Sequence, residues 1–471
     1  MTHAEDTQSH VPTAGWRELL GPKNLGASTV LAGGVALYAT NEFLTISLLP
    51  STVAEIGGHR LYAWVTTVYL VASVVAATSV SAVLTRLGPR SAYLGGLGVF
   101  GIGSALCALA PSMEFLLLGR VVQGAAGGLL AGLGYAVINS ALPQSLWTKA
   151  SALVSAMWGV GTLLGPAAGG LFAQFGSWRW AFGLLAVLTA AMAALVPFAL
   201  PGRAAGVARP AADRIPLWSL ALLGTAALAI SVAGIPRNVA LTGGLLALGV
   251  ALVVVFLVVD RRATASVLPP QAFRPGPLKW IYLTLGVMMA ATMADMYVPL
   301  FGQRLAHLAP VAAGFLGVSL AVGWTIGEIV SASLTKIRLI VTVVAGAPLV
   351  MAVGLGIAAV SQFEDASGLL VAVWVLALLI TGVGIGIAWP HLSAWAMGSS
   401  DDPAEGRTAA AAINTVQLIC GAFGAGLAGV VVNLADRGDA TAARWLFAMM
   451  ALLAAVLAAA SYRASRGRTS T

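Results

Sequence analysis

The sequence predicts an all-α polytopic membrane protein with fourteen transmembrane helices. Three observations predict it. The 471-residue chain is 59% hydrophobic and only 9% charged, where a soluble domain carries about a quarter charged residues. Apolar stretches recur from about position 28 to position 462, each close to the ~20 residues with which a helix spans a bilayer. A membrane β-barrel would show alternating segments of about ten residues instead.

The first six spans are expected at 28–50, 61–84, 91–110, 113–138, 149–174 and 178–200. The next two are expected at 216–235 and 238–260. Read as one helix, that stretch would be about 67 Å long at 1.5 Å per residue, far beyond a bilayer core of about 30 Å. The segment GIPRN divides it, because proline interrupts helix continuation. The last six spans are expected at 277–302, 308–334, 338–361, 367–396, 407–434 and 441–462. Polar linkers at 201–215 and 261–276 bracket the hairpin. The expected organisation is a tail (1–27), a six-helix bundle (28–200), a linker carrying the hairpin (201–276), a second six-helix bundle (277–462) and a second tail (463–471). The opening MTHAEDTQSH is polar and does not read as a cleavable signal.

Basic residues orient this arrangement. Eighteen of the 25 Lys and Arg fall on the side of the two termini. Six fall on the other side: Arg60, Arg179, Arg237, Arg304, Arg437 and Arg444. The remaining one, Arg120, lies inside a span. That bias places both termini in the cytoplasm and requires an even number of helices. A short repeat agrees with it. SAVLTRL at 81–87 closes the second span, and SASLTKI at 331–337 closes the second span after the hairpin. Two repeated halves with substrate held between them are a transporter plan.

Composition also excludes classes. Cys107 and Cys420 both fall inside spans, so no disulfide, metal or cofactor framework is expected. The net charge of +8 sits in short loops and is no nucleic-acid signal. The outer loops hold around ten residues or fewer, and no Ser/His/Asp or metal cluster occurs, so an enzyme is not expected.

The chemistry is carried by ionisable residues within spans. Arg120, in LLLGRVVQGAAGG (116–128), lies about two turns inside the fourth span with Gln123 one turn on. A guanidinium at that depth needs a partner or water. Glu42, in NEFLTISLLP (41–50), lies at a matching depth in the first span and is the expected ion-pair partner. Asp295, in MMAATMADMYVPL, and Glu328, in VGWTIGEIVSAS, are the other deep carboxylates. Burial favours the neutral form of a carboxyl group, which makes such residues able to carry protons. The competing readings are a fixed salt bridge for Glu42 and a wetted helix end for Asp295. His391 reads as an interfacial residue. GTLLGPAAGG (161–170) places Gly161, Gly165, Pro166, Gly169 and Gly170 where small residues let a facing helix approach. Asn41, Gln123, Trp158, Met293, Tyr297 and Trp324 are the residues expected to line a substrate cavity. The competing reading for most of the aromatic and methionine side chains is packing or lipid contact. Trp178, Trp180 and Trp280 are expected at the membrane interface.

Over about 28–462 these motifs resemble the major facilitator superfamily, in particular its fourteen-helix drug:proton antiporter branch. GRVVQG, with Arg120, Gln123 and Gly124, resembles the helix 4 motif linked to proton transfer. Gly161, Gly165, Pro166, Gly169 and Gly170 match the helix 5 antiporter motif. SWRWAF (177–182) resembles the start of helix 6, and RRATASVLPPQAF the segment leading into the second bundle. Two departures stand out. In the helix 2–3 loop, Ser81, Thr85 and Pro89 replace the family's first Gly, its Asp and an Arg, while Arg86, Gly88 and Arg90 remain as the gating loop. Aligned on Pro50, Asn41 occupies the position of the family's helix 1 acid, and Glu42 follows about 100° further round the helix.

The resemblance implies a major facilitator fold working by alternating access. It also implies proton-coupled export of amphipathic or cationic small molecules, with Glu42, Arg120, Asp295 and Glu328 handling the proton. Export of lipids or glycolipids from the inner leaflet is the alternative; the helix 5 motif speaks against proton-coupled uptake. The expected setting is the inner membrane of a bacterium, as a monomer in contact with lipids, substrate and protons.

Overall fold

The computed structural model describes residues 15–202, 215–236, 238–397, 403–435 and 438–466. Within the expected linker and tails, residues 203–214, 1–14 and 467–471 lie outside the described residues, as do Arg237 and Arg437. All regular elements among the described residues are helical. We number the principal helices α1 (Leu25–Ile56), α2 (Trp64–Thr78, resumed after Ser79 by Val80–Leu87), α3 (Pro89–Ala108), α4 (Met113–Ala136), α5 (Trp147–Phe175), α6 (Trp178–Ala199), α7 (Leu217–Ala233) and α8 (Val239–Arg262). They continue with α9, which runs Leu278–Thr292, a 3-10 turn Met293–Tyr297 and Val298–Leu305. The last five are α10 (Pro310–Ala332), α11 (Ile337–Val360), α12 (Gly368–Met397), α13 (Pro403–Leu434) and α14 (Asp439–Ser465).

Helix is the form these stretches must take in hydrocarbon, because it satisfies every backbone group within the segment. Local chemistry sets several starts. Ser112 accepts the amide of Phe115 ahead of α4, and Asn238 accepts the amides of Ala240 and Leu241 ahead of α8. Gly88 has φ +77°, a region that favours glycine, and Pro89 opens α3 behind it.

By length and apolarity, twelve described helices can cross a membrane. The expected fourteen is not reached by that measure. The two principal helices outside the twelve are α1, which is 32 residues long but carries Asn41 and Glu42 in mid-helix, and α7, which has 17 residues.

The pairing of helices repeats. α1 packs on α4, α5 and α6; α2 packs on α4; α3 packs on α4 and α6. Eight helices later, α9 packs on α12, α13 and α14; α10 packs on α12; α11 packs on α12 and α14. The two sets meet where α5 lies on α10 and α2 lies on α13. α7 and α8 pair as a hairpin, with α7 against both α2 and α13. Trp64 Nε1 donates to Ser231 O and Ser231 Oγ to Thr67 Oγ1, which fastens α7 to α2.

Contacts also define two faces. Tyr62, just before α2, donates to Met296 O near the end of α9 (3.2 Å), and Arg463 at the end of α14 lies over Trp280 at the start of α9. The start of α1 and the end of α14 therefore share one face, called terminal here; the opposite face is distal. Contacts joining the two halves gather at the distal face. Tyr62 stacks on Tyr297 (4.7 Å), Asn433 Nδ2 donates to Arg60 O (2.9 Å), and Arg304 reaches His59 Nδ1 (3.4 Å).

Candidate functional site

Arg120 is 1% exposed and sits in a polar knot inside the first six helices. Its Nε donates to Val65 O (3.2 Å), and its NH1 donates to Asn41 Oδ1 (3.2 Å) and Gln123 Oε1 (2.9 Å). Gln123 Nε2 donates onward to Ser104 Oγ (2.9 Å). The guanidinium lies 4.0 Å over the ring of Tyr69, which adds a cation–π attraction in a site shielded from water. Every acceptor in this knot is neutral. Small residues make it possible: a Cβ on Gly103 would come 2.7 Å from Gln123 N, and one on Gly119 2.6 Å from Cys107 Sγ.

The expected ion pair between Arg120 and Glu42 is not formed. The ion pairs among the described residues are Arg179–Glu55, Arg304–Asp439 and His307–Asp365. The reason is helical register. Asn41 takes the side of α1 that meets the guanidinium, and Glu42, about 100° further round, stays near enough to feel its charge without bonding to it. Glu42 instead keeps a buried Oε2 with no hydrogen-bond partner.

The helix 5 glycines form a seam on that same part of α1. A Cβ on Gly161 would lie 2.6 Å from Ala39 Cβ, one on Gly165 2.6 Å from Phe43 Cβ, and one on Gly169 2.7 Å from Leu44 O. Gly170 turns to the other half, where a Cβ would come 2.6 Å from Val311 Cα of α10. Pro166 lies within α5 without ending it, and lacking an N–H it leaves the Thr162 carbonyl without its helical donor.

Asp295 lies in the 3-10 turn of α9 and lines a cavity of about 10 Å³ between the halves. Phe43, Ile46 and Ser47 of α1 and Thr162 and Pro166 of α5 form one wall; Pro299 of α9 and Gly314, Gly317, Val318 and Ala321 of α10 form the other. Asp295 Oδ1 is buried with no hydrogen-bond partner. Glu328 is elsewhere. It is half-buried on α10 toward the terminal face, and a Cβ on Gly386 of α12 would lie 3.0 Å from its backbone nitrogen. The structure therefore does not bring Glu42, Asp295 and Glu328 into one cluster.

The expected cavity-lining residues divide. Asn41 and Gln123 are fully buried in the Arg120 knot. Tyr297 is 1% exposed in the distal closure, stacked between Tyr62 and Phe301. Trp324 packs on Trp389 (5.1 Å) within the second half. Trp158 and Met293 do converge, in an apolar cluster with Tyr38, Tyr69 and Leu70 of the first half and Leu418 and Ile419 of α13. Tyr38 stacks on Tyr69 (5.7 Å) and takes Trp158 edge-on (5.4 Å). Sequence reasoning missed both tyrosines. Tyr38 was findable, being one turn before Asn41 and Glu42 on the same helix.

Of the gating loop, Gly88 makes the turn between α2 and α3, and Arg86 is exposed beside it. Trp178, expected at the interface, is 2% exposed and donates to Glu55 Oε2 (2.6 Å). Asp260, at the end of α8, is 1% exposed and fully engaged, its two oxygens accepting the amides of Val267 and Leu268 (2.7 and 2.9 Å). It is a structural carboxylate that fixes the linker. His391 Nε2 lies 2.9 Å from Ser331 Oγ.

The paired halves, the buried arginine of α4 and the glycine seam of α5 coincide with a known family. The family model described as Major Facilitator Superfamily matches residues 31–425. The chain belongs to the major facilitator superfamily. It is thus a multi-pass membrane transporter and not an enzyme. A probable multidrug-efflux transporter of Mycobacterium tuberculosis is 64% identical over 463 residues, covering 98% of each chain. The multidrug transporter protein MdtP of Bacillus subtilis is 26% identical over 398 residues, covering 82% of this chain and 71% of its own. Among solved structures, a bacterial homologue of the lysosomal transporter Spinster, in an inward-facing and unoccupied conformation, superposes with a TM-score of 0.67 at 13% identity. That match covers 95% of this chain and 98% of the other. A D-xylose–proton symporter gives 0.62 at 15% identity, over 92% and 97%. At such identities the likeness is one of major facilitator fold.

Proposed function

We propose that this protein exports amphipathic or cationic small molecules in exchange for protons, by alternating access, across the inner membrane of a bacterium. The observation that carries the coupling is the pair of membrane-embedded carboxyl groups, Glu42 and Asp295, each with a buried oxygen left without a partner. Such oxygens are costly unless a proton, a cation or water occupies them. The cargo reading rests on the relative called a probable multidrug-efflux transporter and on the apolar cluster of Tyr38, Tyr69, Trp158 and Met293, where methionine and aromatic side chains adapt to varied shapes. Helices α1–α6 and α9–α14 act as two bundles within fourteen spans. The terminal face is cytoplasmic, following the basic residues, and the chain works as a monomer. Arg120 holds the first bundle's polar knot together while the bundles rock; Arg86, Gly88 and Arg90 serve the terminal-face gate.

Reconstituted vesicles test this. With a fluorescent organic cation trapped on the terminal-face side, imposing an acid distal side is expected to drive efflux, and reversing the gradient to stop it. A labelled lipid offered in the same vesicles decides between the small-molecule cargo and the lipid alternative. Efflux that ignores the gradient would remove the antiport reading.

A further inference from the structure

The cavity beside Asp295 joins the two halves of the molecule, and its dimensions limit what it can hold. A cavity of about 10 Å³ holds at most one water. Its lining holds few polar side chains: Asp295, Ser47 and Thr162, whose hydroxyl already donates to Trp158 O (2.9 Å). No counter-charge lines it. The neighbouring elements bring none either. Glu42 stands on α1 just before the lining residue Phe43. Tyr297 and Arg304 follow Asp295 on α9, Tyr62 comes from before α2, Cys420 lies on α13, and Asp439 of α14 is already paired with Arg304. α5 and α10 present only uncharged lining side chains. An ionised carboxylate would be a lone charge in a nearly dry seam. A neutral carboxyl fits, since it brings no charge into the seam and one water in the cavity can bridge its O–H to the Ser47 oxygen.

We infer that Asp295 is a proton-binding site built across the seam between the halves, and that the proton it takes is what allows the distal face to close. This rests on the proton-coupled reading above and says where the coupling is made. In the distal-open state the carboxylate is exposed to water and takes a proton from that side. The neutral group then enters the seam, α1 and α5 close on α9 and α10, and the terminal face opens. When cargo binds and the proton leaves toward the terminal face, the restored charge no longer tolerates the seam, and the distal face reopens with cargo. The 3-10 turn Met293–Tyr297 is where α9 departs from regular helix, a feature that often marks a hinge.

The test reads conformation and transport together in the full-length protein. With Cys107 and Cys420 replaced by alanine, spin labels are placed at Phe175, at the distal end of α5, and at Leu369, at the distal start of α12; both are about three-quarters exposed. The label separation is expected to be short at low pH and to lengthen as pH rises. D295N is expected to stay at the short distance at every pH, while E328Q, whose carboxyl lies outside the seam cavity, keeps the transition. If D295N does not fold, D295S, smaller and also neutral, carries the same expectation. A full transition in the neutral variant, its loss in E328Q instead, or closure driven by sodium at fixed pH would overturn the inference. Gradient-driven efflux is measured on the same wild-type vesicles. If it is present while D295N still opens with pH, the seam site falls and the antiport reading stands; if it is absent, both fall.

Discussion

The two halves share a packing scaffold and differ in the charge placed on it. In the first half, Gly103 of α3 is pressed against Gln123, and the following Gly124 and Gly128 of α4 lie on the backbone of Tyr69 and Ser73 in α2. In the second half, Gly354 of α11 is pressed against Thr381, and the following Gly382 and Gly386 of α12 lie on Leu320 and Trp324 in α10. Four residues before Gly124 stands Arg120; four residues before Gly382 stands Leu378, 2% exposed. The second half shows that this helix triad assembles with no ion in it. Fold alone does not require Arg120, whose insertion into a membrane costs about 2.5–3.5 kcal/mol even on the mild scale. A group kept at such a cost in one repeat only is there for what that half does.

Exchanging the two positions breaks the comparison most severely. Leu378→Arg places a cation where no knot of acceptors awaits it, and loss of folded protein from the membrane is expected. Arg120→Leu copies the second half into the first but strands the Asn41 and Gln123 acceptors, at about 1–3 kcal/mol for each unsatisfied group. The expected result is a folded, less thermostable protein without transport, read by thermal melting in detergent and efflux from vesicles. Arg120→Lys should be nearly as inactive, because an ammonium lacks the planar fork that serves Val65, Asn41 and Gln123 together. Normal transport by Arg120→Leu would mean that the two halves are functionally as alike as their packing.

The glycine seam of α5 sharpens the contrast between contacts within a half and contacts across halves. Gly165→Ala presses α5 against Phe43 inside the first half, and overpacking of this kind costs about 1–3 kcal/mol. Gly170→Ala presses the same helix against Val311 of the opposite half. The first change is expected to lower the melting temperature and transport together. The second is expected to leave the melting temperature nearer the wild type and to cut transport, since the contact it disturbs must form and break in each cycle. Equal effects in both assays would place the two contacts in one rigid body.

Much of this was legible in the sequence where local chemistry decides. Spans expected at 113–138 and 178–200 appear as Met113–Ala136 and Trp178–Ala199 because Ser112 and Ser177 cap their starts. The first span was expected to stop at Pro50, yet α1 continues to Ile56, since proline is tolerated within membrane helices. The 3-10 turn at Asp295 had no sequence mark, as Met293–Tyr297 contains neither glycine nor proline. The shift from the family's acid to Asn41 followed from alignment on Pro50. Its consequence did not: only the structure shows the neutral Asn41 taking the guanidinium and Glu42 left over. Depth in a span is readable from position, but which partners meet at that depth depends on helix packing.

The distal ion pair gives the smallest expected effect. Arg304 bridges Asp439 at 3.0 Å within the second half and reaches His59 of the first half at 3.4 Å, with both members of the pair more than a third exposed. Pairs in that setting contribute about 0.2–1 kcal/mol and are screened by salt. Asp439→Asn should therefore lower the melting temperature slightly at low ionic strength and not measurably at high. Transport should stay within about twofold, since 1.4 kcal/mol is needed for a tenfold change. The stacked Tyr62 and Tyr297 and the Gly170–Val311 contact remain in that variant, so distal closure rests on packing that salt does not weaken. A salt-sensitive loss of transport in Asp439→Asn comparable to that of Gly170→Ala would show instead that charge holds the distal face shut.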